Sequence, residues 1–513
     1  MKEFNVTGLC VSEKHYMVAV DKKIDEIKKM VEKGSYFTIN RPRQYGKTTT
    51  LYLLSKRLIK EGYIVIDSSF EGMNDLFNSS EEFCKSIFEL FADNIEMVQP
   101  NLANILREKQ KEINNYRSLS YTIKNLLISL KKKVILLIDE VDKCSDSKVF
   151  LEFLSLLRNK YLASVAGKDI TFHSVILAGV HDIKNLKISI RNESDHRLNS
   201  PWNIAEDFLI DMSFSSDDIS SMLIDYCKEK NIDFNIDVIS NEIFKYTNGY
   251  PYLVSSICKF IDERLNKNWS ILGVLNAVKI LINEKSTLFD DVIKNIKNDT
   301  DIKDIVHSIL VKGYNYNYNF YAYETGIIYG LFINNHGKLI ISNKIYEELL
   351  YNYLLEETEV KKKSEKLSQE SINQFINGNE LNMERIMLKF KEFMYEEYRE
   401  EDEKFYETNG RMIFLSFLKP ILNGKGFRFI EPVTRLNKRM DLILTYDKYQ
   451  YVVEMKIWNG KIYEEKGINQ LIDYLDIHRQ KIGYLIIFNF NKKKKTSANW
   501  LEINGKRIFE IIV

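Results

Sequence analysis

Three residues in the C-terminal third have types and a spacing that suit metal-dependent hydrolysis. Asp441 is followed by Glu454 and Lys456 in the pattern D-x12-E-x-K. Glu454 and Lys456 stand two apart in an alternating apolar stretch, so a strand there places both side chains on one face. Two carboxylates can hold Mg2+ against a phosphodiester, and an ammonium can steady the attacking water. The pattern predicts a nuclease with Asp441 and Glu454 as metal ligands; the alternative is the exposed polar face of a hairpin.

A second group of residues, near the N-terminus, suits phosphate binding. Residues 41–48 read RPRQYGKT, after an apolar strand at 36–39 and before a helical stretch. A helix N-terminus attracts negative charge, Lys47 can reach the β- and γ-phosphates, and the Thr48 hydroxyl can bind Mg2+. Arg41 replaces the first glycine of the G-x4-G-K-[ST] pattern, and Gly-Lys-Thr alone could be an ordinary helix N-cap. The predicted nucleotide-binding residues of this loop are Arg43, Gly46, Lys47, Thr48 and Thr49.

Two acids follow a fully apolar strand further along the chain. The run at 134–138 ends in Asp139 and Glu140. Apolar runs of this kind are buried parallel strands, and acids at their carboxyl ends lie at the ligand-binding edge of an α/β sheet. Asp139 is predicted to hold Mg2+ and Glu140 to polarise the attacking water. With the phosphate-binding loop upstream, these acids predict an ATPase that uses ATP and Mg2+.

The elements that must position these residues form a parallel sheet. Apolar stretches at 36–39, 63–67, 134–138, 174–178 and 208–211 predict five strands, with a long helical connection between 70 and 133. After the fourth stretch, His181 or Asp182 is either a polar sensor of the γ-phosphate or a plain loop residue.

Beyond the sheet, the sequence predicts a helical lid and a winged helix. Gly249-Tyr250-Pro251 is similar to the Gly-x-Pro lid motif of signal-transducing ATPases, in which the proline packs near the adenine; the alternative is an ordinary turn between helices. Residues 331–333 and 338–341 predict a hairpin that, with its flanking helices, makes a winged helix. Because 301–355 contains no arginine, packing is favoured over DNA binding there. The Tyr-Asn run at 314–319 could stack bases or form an exposed loop.

The motifs and their order resemble the AAA-ATPase-like family over residues 6–353. Members often show RPRRFGKS where this chain has RPRQYGKT, so the arginine in place of glycine is a family trait. The segments SPWNIA at 200–205 and ISNKIY at 341–346 also match. The resemblance implies nucleotide binding.

The C-terminal part resembles the PD-(D/E)XK nuclease superfamily. Its predicted order is a helix with Glu407, two strands, a helix with Gln470, and a strand at 483–488. More narrowly, it resembles the nuclease-like domain at the C-terminus of the AAA-ATPase-like family, which usually shows a glycine where this chain has Lys438. The resemblance implies a nuclease-like tail, in which Gln470 is placed with Glu454 and Lys456 as a catalytic residue.

Composition limits the partners and the compartment. Lys and Arg number 73 against 72 Asp and Glu, so contacts with nucleic acid must come from local patches. One such patch, Lys492–Lys495, is either a DNA-backbone contact or a solvated turn. The five scattered cysteines are predicted to be reduced. Without a run of about 18 apolar residues, we expect a cytoplasmic protein with no membrane partner.

The predicted fold class is α/β, with a P-loop NTPase parallel sheet, helical lid and winged helix, plus a C-terminal α/β restriction-endonuclease-like domain. The predicted boundaries are 1–245 for the AAA-like ATPase domain, 246–300 for the lid, 301–355 for the winged-helix-like domain, 356–384 for a linker and 385–513 for the nuclease-like domain.

Two functions are open. In the first, ATP binding and hydrolysis control a Mg2+-dependent nuclease that acts on nucleic acid, with DNA favoured. Arg191 or Arg197 could then complete the ATP site of a neighbouring subunit in a homo-oligomer, or could lie in a surface loop. In the second, the chain is a nucleotide-gated switch whose nuclease-like domain no longer cuts and docks a partner or nucleic acid.

Overall fold

The chain folds into two compact units. The structure is a computed structural model that describes residues 2–144, 147–180, 201–284, 286–312, 320–335, 337–357, 372–397, 407–422, 426–429, 442–447, 449–458, 461–477, 480–489 and 497–513. Unit 1 comprises Met1–Phe244, Gly249–Lys259 and Ile328–Gly330. Unit 2 comprises Lys245–Asn248, Phe260–Ile327 and Leu331–Val513. The five-part division of the sequence stays a prediction.

Unit 1 is built on a parallel sheet of four strands in the order β1-β4-β3-β2. The strands are β1 (Tyr36–Asn40), β2 (Ile64–Ser69), β3 (Val134–Asp139) and β4 (Ser174–Gly179). All residues of β3 and β4 are buried, as expected for apolar strands covered on both faces. Two separate apolar clusters, one containing Leu136 and the other Leu137, show that successive residues of β3 serve opposite faces.

Helices cover the sheet and continue beyond it. In chain order they are α1 (Asp21–Glu32), α2 (Lys47–Lys60), α3 (Ser80–Ile95), α4 (Pro100–Gln110), α5 (Tyr116–Leu130), α6 (Lys148–Val165), α7 (Ser216–Lys230), α8 (Ile236–Thr247) and α9 (Pro251–Glu263). Several of these helices begin after a polar N-cap residue; at α7, for example, Ser215 and Asp218 form a capping box. The predicted helical connection between 70 and 133 is confirmed as α3, α4 and α5.

The predicted fifth strand at 208–211 is wrong. Instead, a single parallel bridge joins Phe37 to Glu206. The carbonyl oxygens of Phe208 and Ile210 accept hydrogen bonds from the Arg41 guanidinium at 3.3 and 2.7 Å. A side chain therefore takes acceptors that a neighbouring strand would have used, and the segment follows the sheet edge without joining the ladder.

The first part of unit 2 is helical and carries the predicted hairpin. The helices are α10 (Ile271–Asn283), α11 (Thr287–Asn298), α12 (Thr300–His307), α13 (Phe320–Ile328) and α14 (Lys344–Glu357). Strands β5 (Phe332–Asn335) and β6 (Lys338–Ile341) pair antiparallel, which confirms the hairpin.

The C-terminal part of unit 2 is a mixed sheet with helices on both faces. A two-residue pair, β7 (Ile376–Asn377) and β8 (Glu380–Leu381), precedes α15 (Met383–Glu397) and α16 (Glu407–Leu422). The remaining elements are β9 (Gly426–Phe429), β10 (Leu442–Tyr446), β11 (Tyr449–Ile457), α17 (Lys461–Ile477), β12 (Ile482–Phe488), β13 (Ser497–Ile503) and β14 (Lys506–Ile512). The sheet order is β13-β14-β12-β11-β10-β9.

Strand direction in this sheet follows from the connections. Strands β9, β10 and β11 form an antiparallel meander, whereas β11 and β12 are parallel because α17 carries the chain back across the sheet. Strands β10, β11 and β12 confirm the strands predicted after Asp441, from Val452 and at 483–488, and α17 confirms the helix with Gln470. Strands β9, β13 and β14 were not predicted.

Candidate functional site

The phosphate-binding loop of unit 1 connects β1 to α2. Gly46 caps α2 with φ of +81°, a left-handed conformation that glycine adopts without steric cost. The Lys47 side chain is 7% exposed. Its Nζ donates to the carbonyl oxygens of Arg41 and Pro42 at 3.0 and 2.9 Å. The loop thus curls around its own lysine, with the amides at the start of α2 available to a ligand.

The two acids after β3 lie beside this loop. Thr48 Oγ1 donates to Asp139 Oδ2 at 2.6 Å. The Glu140 amide donates to Asp139 Oδ1 at 2.9 Å, and Glu140 has a φ of +56°. The structure therefore brings Lys47, Thr48, Asp139 and Glu140 together, although they lie some ninety residues apart in sequence. A hydroxyl and a carboxylate in contact supply the hard oxygen donors that Mg2+ prefers.

Burial and the neighbouring carboxylates shift the pKa of Lys47 in opposite directions. Burial lowers the pKa of Lys47, while the carboxylates of Asp139, Asp142 and Glu140 act in the other direction. The three carboxylates outnumber the ammonium, so this group of charges favours a divalent cation.

A cavity of about 610 Å3 opens from the loop. Its polar lining includes Arg43, Gly46, Lys47, Thr48 and Thr49, with Glu140. Its apolar lining includes Val18, Ile24, Met212, Phe214 and Pro251. The volume is in the range of small-molecule and cofactor sites, and a lining with both polar and apolar residues suits a nucleoside phosphate.

Two contacts of the loop and its helix were missed from the sequence. The segment before α1 lines the cavity, and the Cys10 amide donates to Thr49 Oγ1 at 3.2 Å. Tyr250 Oη donates to the Arg43 carbonyl at 2.6 Å, and its ring centroid lies 4.8 Å from that of Tyr45. Tyr250 belongs to the Gly-Tyr-Pro motif, but from that motif only Pro251 was predicted to contact the nucleotide. The N-terminal segment has no motif that could have indicated this contact.

A second candidate site lies on β11 in unit 2. Lys456 Nζ lies 2.8 Å from Glu454 Oε1, and Glu454 is 0% exposed. Helix α17 covers this face: a Cβ at Gly467 would lie 3.2 Å from Lys456 Cγ. Gln470 is half-buried one turn later on α17. The interpretation of Glu454 as part of an exposed polar hairpin face is therefore wrong.

A second buried carboxylate shares this face of the sheet. Glu454 and Glu510 are both paired in register with Leu485, one from each side. Residues directly paired across parallel strands point to the same face. Glu510, which is buried, was not singled out by the sequence.

Several predicted residues lie outside the described part of the chain. These are Asp441, His181, Asp182, Arg191, Arg197, Lys438, the run 314–319 and Lys492–Lys495. Within the described residues, no group of three or more His, Cys, Asp and Glu side chains could hold a metal ion. No helix of the described segments is long and apolar enough to cross a membrane.

Comparison with known proteins places most of the chain in one family. Residues 10–351 match the family described as AAA-like domain, which is more than half of the 513 residues. No curated protein matches the chain.

Several solved structures are similar at low sequence identity. The Walker-type ATPase PABY2304 of Pyrococcus abyssi is 14% identical, with 68% of this chain and 99% of that chain covered and a TM-score of 0.47. The Aeropyrum pernix ORC2 protein, in ADPNP and ADP complexes, is 13% identical, with 65% and 93% covered and a TM-score of 0.36. The RuvB Holliday junction branch migration motor of Thermotoga maritima is 14% identical, with 65% and 95% covered and a TM-score of 0.33.

Proposed function

Because the chain belongs to the AAA-like domain family, we propose that unit 1 binds and hydrolyses ATP in the cavity beside the phosphate-binding loop. The observation that carries this proposal is the 2.6 Å contact between Thr48 and Asp139 next to the buried Lys47. A threonine hydroxyl at the start of the helix and an acidic residue from the end of another strand of the sheet are the protein ligands of Mg2+ in P-loop ATPases.

Each side chain has a distinct part in this reaction. Lys47 exchanges its bonds to the Arg41 and Pro42 carbonyls for bonds to the β- and γ-phosphates. Thr48 and Asp139 would hold Mg2+, which when bound neutralises charge on the phosphates. The Glu140 carboxylate lines the cavity and orients and deprotonates the attacking water. Arg43, Thr49 and Pro251 also line the cavity; Arg43 and Thr49 would contact the phosphates and Pro251 the nucleoside.

The first experiment measures thermal unfolding with MgATP and the rate of ATP hydrolysis. We expect MgATP to raise the melting temperature of the wild type but not of Lys47→Ala. Glu140→Gln should keep the shift while hydrolysis falls at least about 100-fold. Lys60→Ala, an exposed lysine in the last turn of α2, is the matched control and should behave as wild type. A wild type that neither shifts nor hydrolyses ATP would remove the basis of the proposal.

For unit 2, we propose a Mg2+-dependent nuclease of the PD-(D/E)XK type that acts on nucleic acid, with DNA as the favoured substrate. The nucleotide bound in unit 1 would regulate its activity. Support comes from the order α16, β9, β10, β11, α17, β12, with Glu454 and Lys456 in contact on β11. Lys456 would stabilise the attacking water or the transition-state charge, Glu454 and the predicted Asp441 would hold the metal, and Gln470 would assist from α17.

One observation favours the alternative, a binding switch with an inactive nuclease-like domain. Glu454 is fully buried and paired with Lys456. A carboxylate that satisfies an ammonium beneath a helix is less available to a metal than one that faces an open cleft. In that function the pair stabilises the sheet, and the domain docks a partner or nucleic acid without cutting it.

A further inference from the structure

Arg41 holds a segment of chain that is distant in sequence. Its Nη2 donates to the Phe208 and Ile210 carbonyl oxygens at 3.3 and 2.7 Å, and its Nη1 donates to the Asn40 carbonyl at 2.9 Å. The guanidinium carbon also lies 5.0 Å from the centre of the Phe208 ring. Burial lowers the pKa of Arg41, but a guanidinium stays protonated in proteins.

The segment that Arg41 holds leads into the wall of the nucleotide cavity. Phe208 is buried and its ring stacks on that of Phe37, with centroids 5.9 Å apart. Met212 and Phe214, two and four residues after Ile210, line the cavity. The Phe214 amide in turn donates to the Gly249 carbonyl at 2.8 Å, just before Pro251.

The bonds of Arg41 replace those that a fifth strand would provide. In the described residues the segment meets the sheet by one bridge, at Glu206. Beyond that bridge, Phe208 and Ile210 are tied to Arg41, the residue after β1, through a planar guanidinium that can donate to two carbonyls at once, and Lys23 donates to the Ser213 carbonyl. Charge-assisted bonds of this kind are among the stronger interactions available to a buried backbone oxygen.

We propose that Arg41 is a positioning residue for the nucleoside, and that it acts by holding segment 208–214 as the apolar wall of the cavity. The inference rests on the proposed binding of ATP and deepens it. The phosphates would be bound by the loop and the start of α2, whereas the apolar wall depends on Arg41. Removal of this side chain should therefore weaken recognition of the nucleoside more than recognition of the phosphates.

The test compares two ligands, MgATP and inorganic tripolyphosphate with Mg2+, by isothermal titration calorimetry. In Arg41→Gln we expect the affinity for MgATP to fall about 10- to 100-fold, because a charge-assisted anchor of the wall is lost. The affinity for tripolyphosphate should change less than about threefold. Arg41→Lys keeps the positive charge but loses the planar guanidinium that donates to two carbonyls. Its affinity for MgATP should lie between those of Arg41→Gln and wild type.

Controls separate a positioning role from a general loss of structure. Arg57→Gln changes an exposed arginine of α2 that pairs with Asp25 and Glu61, and should leave both affinities unchanged. Hydrogen exchange of the ligand-free protein gives a second readout: amides of 208–214 should exchange faster in Arg41→Gln, while those of α2 stay as in wild type.

The outcomes have different meanings. Equal losses for both ligands, or no loss for either, would overturn the role of Arg41 while leaving ATP binding intact. Unchanged exchange at 208–214 in Arg41→Gln would also overturn it. A wild type that binds neither ligand would instead refute the proposed ATP site itself.

Discussion

The ionisation of Asp67 should lower the stability of unit 1. This residue lies on β2, one strand away from Asp139, and is half-buried. The pKa of Asp67 is raised from 3.8 to about 6: burial is the largest cause, a hydrogen bond with Ser55 opposes the rise, and repulsion from Asp139 adds to it. Replacing Asp67 by Asn removes the charge and keeps a side chain that can bond to Ser55.

The sign and size of the effect follow from the shift in pKa. A carboxyl whose folded pKa is raised binds its proton more tightly in the folded state, so its contribution is fully present below pH 3.8 and is lost as the pH rises through about 6. A shift of roughly two units corresponds to about 3 kcal/mol, with about half of that reached at pH 5. Because solvent screens the partly exposed carboxylate, we expect Asp67→Asn to stabilise unit 1 by about 1–3 kcal/mol at pH 8.

Hydrogen exchange at the β3 amides is the assay, because it reports the opening of unit 1 without requiring a two-state transition of the whole chain. Wild type and Asp67→Asn are compared at pH 5 and at pH 8. Asp233→Asn, an exposed aspartate before α8, controls for the loss of one charge. A gain in stability that is the same at both pH values, or no gain at pH 8, would refute the reasoning.

Two further predictions concern Cys10 in the cavity and Gly249 before α9. MgATP at ten times its dissociation constant should slow maleimide labelling of Cys10, which lines the cavity, about tenfold. Labelling of the half-buried Cys227 should not change, and equal effects on both cysteines, measured by peptide mass spectrometry, would contradict the placement of Cys10. Gly249→Ala should cost at least twice the free energy of unfolding that Gly167→Ala costs, about 1 kcal/mol. Both glycines have positive φ, but a Cβ at Gly249 would lie 1.9 Å from the Phe214 oxygen while one at Gly167 meets nothing within 4 Å. Equal losses in thermal unfolding would contradict that explanation.

The strand, loop and helix of the predicted phosphate site were predictable because their signals are local. An apolar strand, a glycine at a left-handed position and a helix that starts at Lys47 are encoded within fifteen residues, and each prefers that structure on its own. Asp139 was found in the same way, since a fully apolar strand that ends in acids is typical of the ligand-binding edge of a sheet.

The errors and omissions arose from contacts between distant parts of the chain. The stretch 208–211 has the apolar composition of a strand. Its carbonyl oxygens, however, accept hydrogen bonds from Arg41, which lies 167 residues from Phe208 in the sequence. The contact of Cys10 with Thr49 and that of Tyr250 with Arg43 depend on how separate elements pack, which no local pattern encodes. Burial of Glu454 depends on the helix that crosses over it, whereas alternation alone could not tell a covered face from an exposed one.

We propose that nucleotide bound at Lys47 controls metal-dependent cleavage at Lys456. The most direct test incubates plasmid, linear and single-stranded DNA, and RNA, with Mg2+ or Mn2+ and with or without ATP. We expect cutting by wild type and by Lys481→Ala, an exposed lysine before β12 that serves as control. Cutting should fall at least about 100-fold in Lys456→Ala and should respond to ATP only when Lys47 is intact. ATP hydrolysis without cleavage of any substrate, or cleavage that survives in Lys456→Ala, would contradict the claim and favour the docking function.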